Sequence, residues 1–116
     1  MDPTIESLTR SLRAFAAERE WEQFHSPKNL ACAMSVEAAE LLEHFQWLTD
    51  EQSRQLPPER LAAVGQEAAD VLLYLLQLAD QLGIDLAEAA RDKIEVNARK
   101  YPASLVRGSS RKYTDR

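Results

Sequence analysis

Glu67-Ala68-Ala69-Asp70-Val71-Leu72-Leu73-Tyr74-Leu75-Leu76 is the stretch that decides the fold. From Val71 to Leu76 it is apolar nearly all round, and a helix of that kind is surrounded by protein. The two acids before it stand three residues apart, which puts them on one face of a helix. Pro57-Pro58 precede the segment and Gly83 follows it, so a helix should run from about Pro58 to Leu82. In a chain of 116 residues, so apolar a helix calls for cover from another subunit as well as from its own bundle.

The flanking segments carry the same helical grammar. Downstream, Asp85 caps a helix from about Leu86 to Lys100 that Tyr101-Pro102 ends. Upstream, Ser26-Pro27 is a cap followed by a first-turn proline, opening a helix to about Leu48. Its apolar stripe is Leu30, Met34, Leu41, Phe45 and Leu48. Asp2-Pro3 repeats the signal for a first helix, with Ile5, Leu8, Leu12, Phe15 and Ala16 at helical spacing. That helix should fade near Glu20, leaving Trp21 to His25 as a connector. Thr49 to Pro58 reads as a polar loop. No segment looks like a strand. The expected fold is all-α, a bundle of about four helices with short loops over residues 1–102. Residues 103–116 form a basic tail containing Arg107, Arg111, Lys112 and Arg116, extended or mobile unless a ligand or subunit orders it.

Composition narrows the class. Apolar residues make up 45% and charged residues 28%, the balance of a soluble globular domain. A net charge of −5 argues against a nucleic-acid polymer as partner. The apolar runs fall short of the roughly 20 residues that span a bilayer, so no membrane partner is expected. Cys32 has no second cysteine to pair with, and Ala31, Ala33 and Met34 around it suggest a buried small residue. With no signal-peptide pattern at the N-terminus, a reducing, cytoplasmic setting is expected.

Glu37-Ala38-Ala39-Glu40 matches the acidic pair of the later helix. A single glutamate on a helix is ordinarily a solvated surface acid. Here helical phase says otherwise: at about 100° per residue, Glu37 falls beside Leu30, Leu41 and Leu48, with Glu40 on the flank. Glu67 falls beside Val64, Val71 and Leu78, with Tyr74 on the acidic side. Acids from two helices thus point toward the core, where unpaired carboxylates cost several kcal/mol each. Arg60 is the nearest basic residue by phase. A divalent cation held by Glu37, Glu40, Glu67 and Asp70 is the simpler solution, and all-oxygen ligands favour Mg²⁺ or Mn²⁺ over Zn²⁺. A di-iron bundle would need Glu-x-x-His on two helices. His44 follows Glu40 by four positions, and the later helix has no histidine.

Carboxylate-bound Mg²⁺ completes its shell with water and phosphates, which makes phosphoanhydride hydrolysis the natural chemistry. Lys93, Asn97 and Lys100 form a polar row suited to phosphates, although alone it reads as a solvated face. Trp21, His25, Trp47 and Tyr74 are candidates for the nucleobase, since aromatic rings stack on bases. Each aromatic alone would more often be core. A non-enzymatic helical oligomer, whose acids only make salt bridges or bind a basic partner, is the alternative.

The acidic pairs, separated by 26 residues, and Lys93-x-x-x-Asn97-x-x-Lys100-Tyr101-Pro102 resemble the motifs of the MazG-like all-α nucleotide pyrophosphohydrolases. Phe15 to His25, Glu43-His-Phe-Gln-Trp47 and Arg107-Gly-Ser-Ser-Arg-Lys-Tyr113 look like the dCTP pyrophosphatase branch of that family. The resemblance implies Mg²⁺-dependent cleavage of a nucleoside triphosphate between the α and β phosphates. It implies metal binding and catalysis by Glu37, Glu40, Glu67 and Asp70. It places the base against Trp21 and Trp47, near His25 and Tyr74, and the triphosphate on Lys93, Asn97 and Lys100 or the tail. It also implies a homo-oligomer, dimer or tetramer. Ala38-Ala39 departs from relatives that have glycine or larger apolar residues there, with no expected loss of chemistry.

Overall fold

The computed structural model describes residues 2–109. Four long helices carry the fold: α1 (Pro3–Glu18), α2 (Pro27–Glu43), α4 (Pro58–Leu82) and α5 (Leu86–Lys100). Two single-turn helices, α3 (Asp50–Ser53) and α6 (Ala103–Val106), and a 3₁₀ turn at Glu22–Phe24 fill the connections. No strand occurs among the described residues.

The starts of the helices follow from local chemistry. The Asp2 carboxylate accepts from the Thr4 N–H at 2.9 Å, with Pro3 at the first helical position. Ser26 Oγ accepts from the Asn29 N–H at 3.1 Å, and Asp85 accepts from the Glu88 N–H at 3.1 Å. α4 begins at Pro58 without a side-chain cap and ends at Gly83, whose φ of 67° is the left-handed conformation that glycine adopts without strain.

Three connections differ from the sequence expectation. α2 stops at Glu43 rather than near Leu48, and the chain tightens into turns in which the Phe45 N–H donates to the Leu42 carbonyl and Leu48 to Phe45. Arg60 closes this end, donating to the His44 carbonyl at 2.9 Å. It serves the end of α2 rather than the acids. The segment after Thr49 is a helical turn because Thr49 and Gln52 cap each other reciprocally. In the tail, Ala103–Val106 coil once where an extended chain was expected. Arg111, Lys112 and Arg116 lie outside the described residues.

The principal packing is α2 against α4, with α1 laid on α4. Leu30 of α2 and Leu76 of α4 are 1% exposed and anchor the core, joined by Ala16, Ala79 and Ala87. A bidentate ion pair from Arg13 to Asp80, with Nε to Oδ2 at 2.8 Å, ties α1 to α4. Cys32 is exposed, contrary to expectation, because α2 turns the opposite face, that of Leu30, to α4.

Much apolar surface stays uncovered in the single chain. Leu42 and Leu61 are each 60% exposed, and Leu72, Leu82, Ile84 and Ile94 are open as well. By length and composition α4 would also pass for a membrane span. Glu67 and Asp70 stand at its middle, where they meet Glu37 of α2.

Candidate active site

Antiparallel packing of α2 on α4 brings the two acidic pairs together. Carboxylate oxygens of Glu37, Glu67 and Asp70 lie within 4.8 Å of one another. Glu40 adjoins them one turn along α2, close enough for its carboxyl to interact with those of Glu37 and Glu67. Ala38, Ala39, Ala68 and Ala69, inside the two pairs, keep the helix surfaces low.

Two carboxyls of this cluster, Glu37 and Glu40, are shifted by their neighbours. The Glu37 carboxyl is held above its ordinary value, chiefly because its protonated form hydrogen-bonds to the Glu67 carboxylate, with burial and the charges of Glu67 and Asp70 adding to it. Glu40 is raised in the same direction, first by hydrogen bonding to Glu37 and then by that residue's charge. Glu67 Oε2 is buried and has no hydrogen-bond partner. A buried carboxylate oxygen without a donor is costly, and no lysine or arginine is paired with these acids among the described ion pairs. Three convergent carboxylates, an orphaned oxygen and an all-oxygen donor set fit a hard divalent cation.

A cavity of about 470 Å³ opens beside the acids. Glu37, Asp70 and Tyr74 line it together with Leu8, Ser11, Leu12, Phe15 and Leu73. Its mostly apolar lining with a few polar groups is the pattern of a small-molecule site. The α1 residues of this wall were missed as site residues in the sequence, where Leu8, Leu12 and Phe15 read as a core stripe.

The other sequence candidates are placed differently. Trp21 packs edge-on against Phe15, with ring centroids 5.7 Å apart, and so stands next to the cavity wall. His25 lines a separate cleft of about 430 Å³, with Glu22, Arg13, Asp80 and Gln77. Trp47 is 86% exposed. Lys93 and Asn97 are exposed on α5 and Lys100 is half-buried. None of these three lines the cavity beside the acids.

Comparison with known proteins agrees with this architecture. The MazG-like family profile matches residues 32–115. The chain is 47% identical to dCTP pyrophosphatase 1 of Homo sapiens, with 98% of this chain and 68% of that protein covered. Its identity to dCTP pyrophosphatase 1 of Mus musculus is 46%, over the same shares of both chains. The crystal structure of a pyrophosphatase from Archaeoglobus fulgidus superposes with a TM-score of 0.81 at 44% identity, covering 88% of this chain and 95% of that one. With the helices, the paired acids and these relatives in agreement, the chain belongs to the MazG-like family.

Proposed function

We propose that this chain is a nucleoside triphosphate pyrophosphohydrolase that converts dCTP, or a dCTP modified on the base, to the monophosphate and pyrophosphate. The observation that carries the reading is the convergence of Glu37, Glu67 and Asp70, with Glu40 beside them, at the mouth of an apolar cavity. The high identity to dCTP pyrophosphatases supports the choice of substrate.

Glu37, Glu40, Glu67 and Asp70 would hold Mg²⁺, with Mn²⁺ as a substitute. A cation held by these residues would neutralise phosphate charge and lower the pKa of a water bound to it. Water adds to the α phosphorus, the bond to the bridging oxygen breaks, and pyrophosphate leaves. A carboxylate of the cluster would take the water's proton, and Glu40, beside the trio of Glu37, Glu67 and Asp70, supports that role. Tyr74 and the α1 wall receive the base, and Trp21 stacks at its edge. Away from Glu37 and Asp70 the walls are uncharged and mostly apolar, which suits an uncharged base.

Lys93, Asn97, Lys100, Trp47 and His25 reach the substrate through assembly. α5 packs little against the rest of its own chain, so its phosphate-binding row serves a site completed by a neighbouring copy. The exposed surface supports a homo-oligomer, dimer or tetramer: the chain exposes 8778 Å², against about 6,400 Å² for a compact monomer of its mass. A cytoplasmic setting accords with the unpaired thiol of Cys32. Residues 1–102 act as the catalytic bundle and 103–116 as an appended basic tail.

A nucleotide panel with Mg²⁺, resolving pyrophosphate from orthophosphate, tests the reading. Monophosphate plus pyrophosphate, formed fastest from dCTP or a modified dCTP, is expected. Orthophosphate release, or no turnover with Mg²⁺ or Mn²⁺, would overturn it.

A further inference from the structure

The end of α1 is fastened by an aromatic clasp that neither the core nor the acidic centre explains. The Arg19 guanidinium lies over the Phe15 ring, 3.6 Å from its centroid. The same side chain donates from a terminal nitrogen to the Phe15 carbonyl at 3.1 Å. Trp21 meets Phe15 with an interplanar angle of 69°. The three residues are joined by one tight turn. The Trp21 N–H donates to the Ala16 carbonyl at 3.0 Å and the Glu20 N–H to Ala17 at 3.2 Å, the double bond of a Schellman motif. Glu20 occupies its left-handed position at φ 54°, a conformation that side-chain-bearing residues disfavour.

This clasp adds little to the core, since Phe15 and Trp21 are 46% and 45% exposed. What it does is join Trp21 to the cavity. Phe15 lines that cavity beside Glu37, Asp70 and Tyr74, Trp21 touches Phe15, and Arg19 holds the ring against rotation. A cation above an aromatic face and an edge-on indole are both directional contacts. Together they restrict the Trp21 side chain before any ligand arrives, which lowers the ordering cost of binding.

We infer that Arg19 and Phe15 are positioning residues that pre-set the indole of Trp21 at the rim of the base cavity. The inference rests on the reading of Trp21 as a base-stacking residue, and its test separates the two.

Steady-state kinetics of dCTP hydrolysis are compared for the wild type, Arg19→Ala, Arg19→Lys, Phe15→Leu, Trp21→Ala and the Arg19→Ala/Trp21→Ala double variant. Arg19→Ala should raise KM about two- to fivefold, the worth of an exposed cation–π contact, with kcat unchanged. Arg19→Lys, which keeps the cation, should restore most of the loss. Phe15→Leu should raise KM at least as much as Arg19→Ala. In the Trp21→Ala background, removing Arg19 should change nothing further, because Arg19 acts through Trp21. Arg19 is exposed, so its variants carry the test even if Phe15→Leu fails to fold. An unchanged KM in Trp21→Ala would overturn both the stacking role and the clasp. A raised KM in Trp21→Ala with a normal KM in Arg19→Ala would overturn the clasp alone. A persistent Arg19→Ala effect in the double variant would also overturn it, since Arg19 would then act by another route.

Discussion

Glu67 is the acid of the cluster with a buried, unpartnered oxygen. Its Oε2 is buried without a hydrogen-bond donor, so a bound cation would relieve a cost that the metal-free protein carries. Glu37 and Glu40 bind protons more tightly in the folded chain than in the unfolded one. Over the window between the ordinary value of 4.5 and their raised values, the folded state therefore holds more protons, and stability falls as pH rises. In chelator, Glu37→Gln should raise the melting temperature at neutral pH, and the gain should shrink as pH falls through that window. A gain constant with pH would show that repulsion at Glu37 is not its source. How much of this was legible in the sequence depends on the residue. Helical phase put the acids of α2 and α4 on facing stripes, so their meeting could be read from spacing alone. The exposure of Cys32 could not be read from its neighbours, because small residues beside a thiol do not say which face the partner helix covers. The wall formed by Leu8, Ser11 and Leu12 was hidden for a related reason: a stripe that lines a cavity has the same period as one that lines a core.

At the scale of elements, ends were more legible where one residue dictates the backbone. Asp2-Pro3, Ser26-Pro27 and Gly83 each impose a cap, and the helices start or stop there. α3 escaped because Thr49 and Gln52 stand near Pro57-Pro58, whose loop signal was stronger than the capping box. The early end of α2 depends on Arg60, which is sixteen residues from His44 in sequence. Two of the left-handed positions, Glu20 and Gly83, give a matched prediction. Gly83→Ala should cost about 1 kcal/mol, whereas Glu20→Gly should stabilise by up to about 1 kcal/mol by removing strain. Denaturant melts of both variants would check this, and loss of stability in Glu20→Gly would contradict it. Leu76→Ala should cost about 2–5 kcal/mol, as for any fully buried leucine that leaves a cavity. The Arg13–Asp80 tie between α1 and α4 is solvent-screened, so Asp80→Ala should cost only about 0.5–1 kcal/mol. Arg13 holds the Asp80 carboxyl below its ordinary value. The tie is therefore complete above the ordinary carboxylate pKa and is lost as pH falls through the lowered one.

For the whole molecule, the single chain leaves much apolar surface uncovered. Its radius of gyration is 17.6 Å, where a compact domain of about this size has roughly 13 Å. Apolar residues on α2, α4 and α5 are left uncovered, among them Leu42, Leu61 and Ile94. Light scattering should give a dimer or tetramer, and Leu42→Lys or Leu61→Lys should weaken it while lowering the melting temperature. A monodisperse monomer of full activity would rule out a shared site. The apolarity of α4 raised the expectation of such cover in the sequence, but no geometry of assembly was legible there, since one face can pack against several arrangements of neighbours.

The central claim is that the four acids act together on a cation and a triphosphate. Its most direct test is turnover of dCTP by Glu67→Gln and Asp70→Asn, measured beside the wild type across a Mg²⁺ titration, with helical circular dichroism as the control for folding. Both variants should keep the helical signal, lose turnover by at least about a hundredfold, as expected when a catalytic electrostatic group is removed, and show no melting-temperature rise with Mg²⁺ where the wild type does. Near-normal turnover in both variants, with the same response to Mg²⁺ as the wild type, would contradict the account.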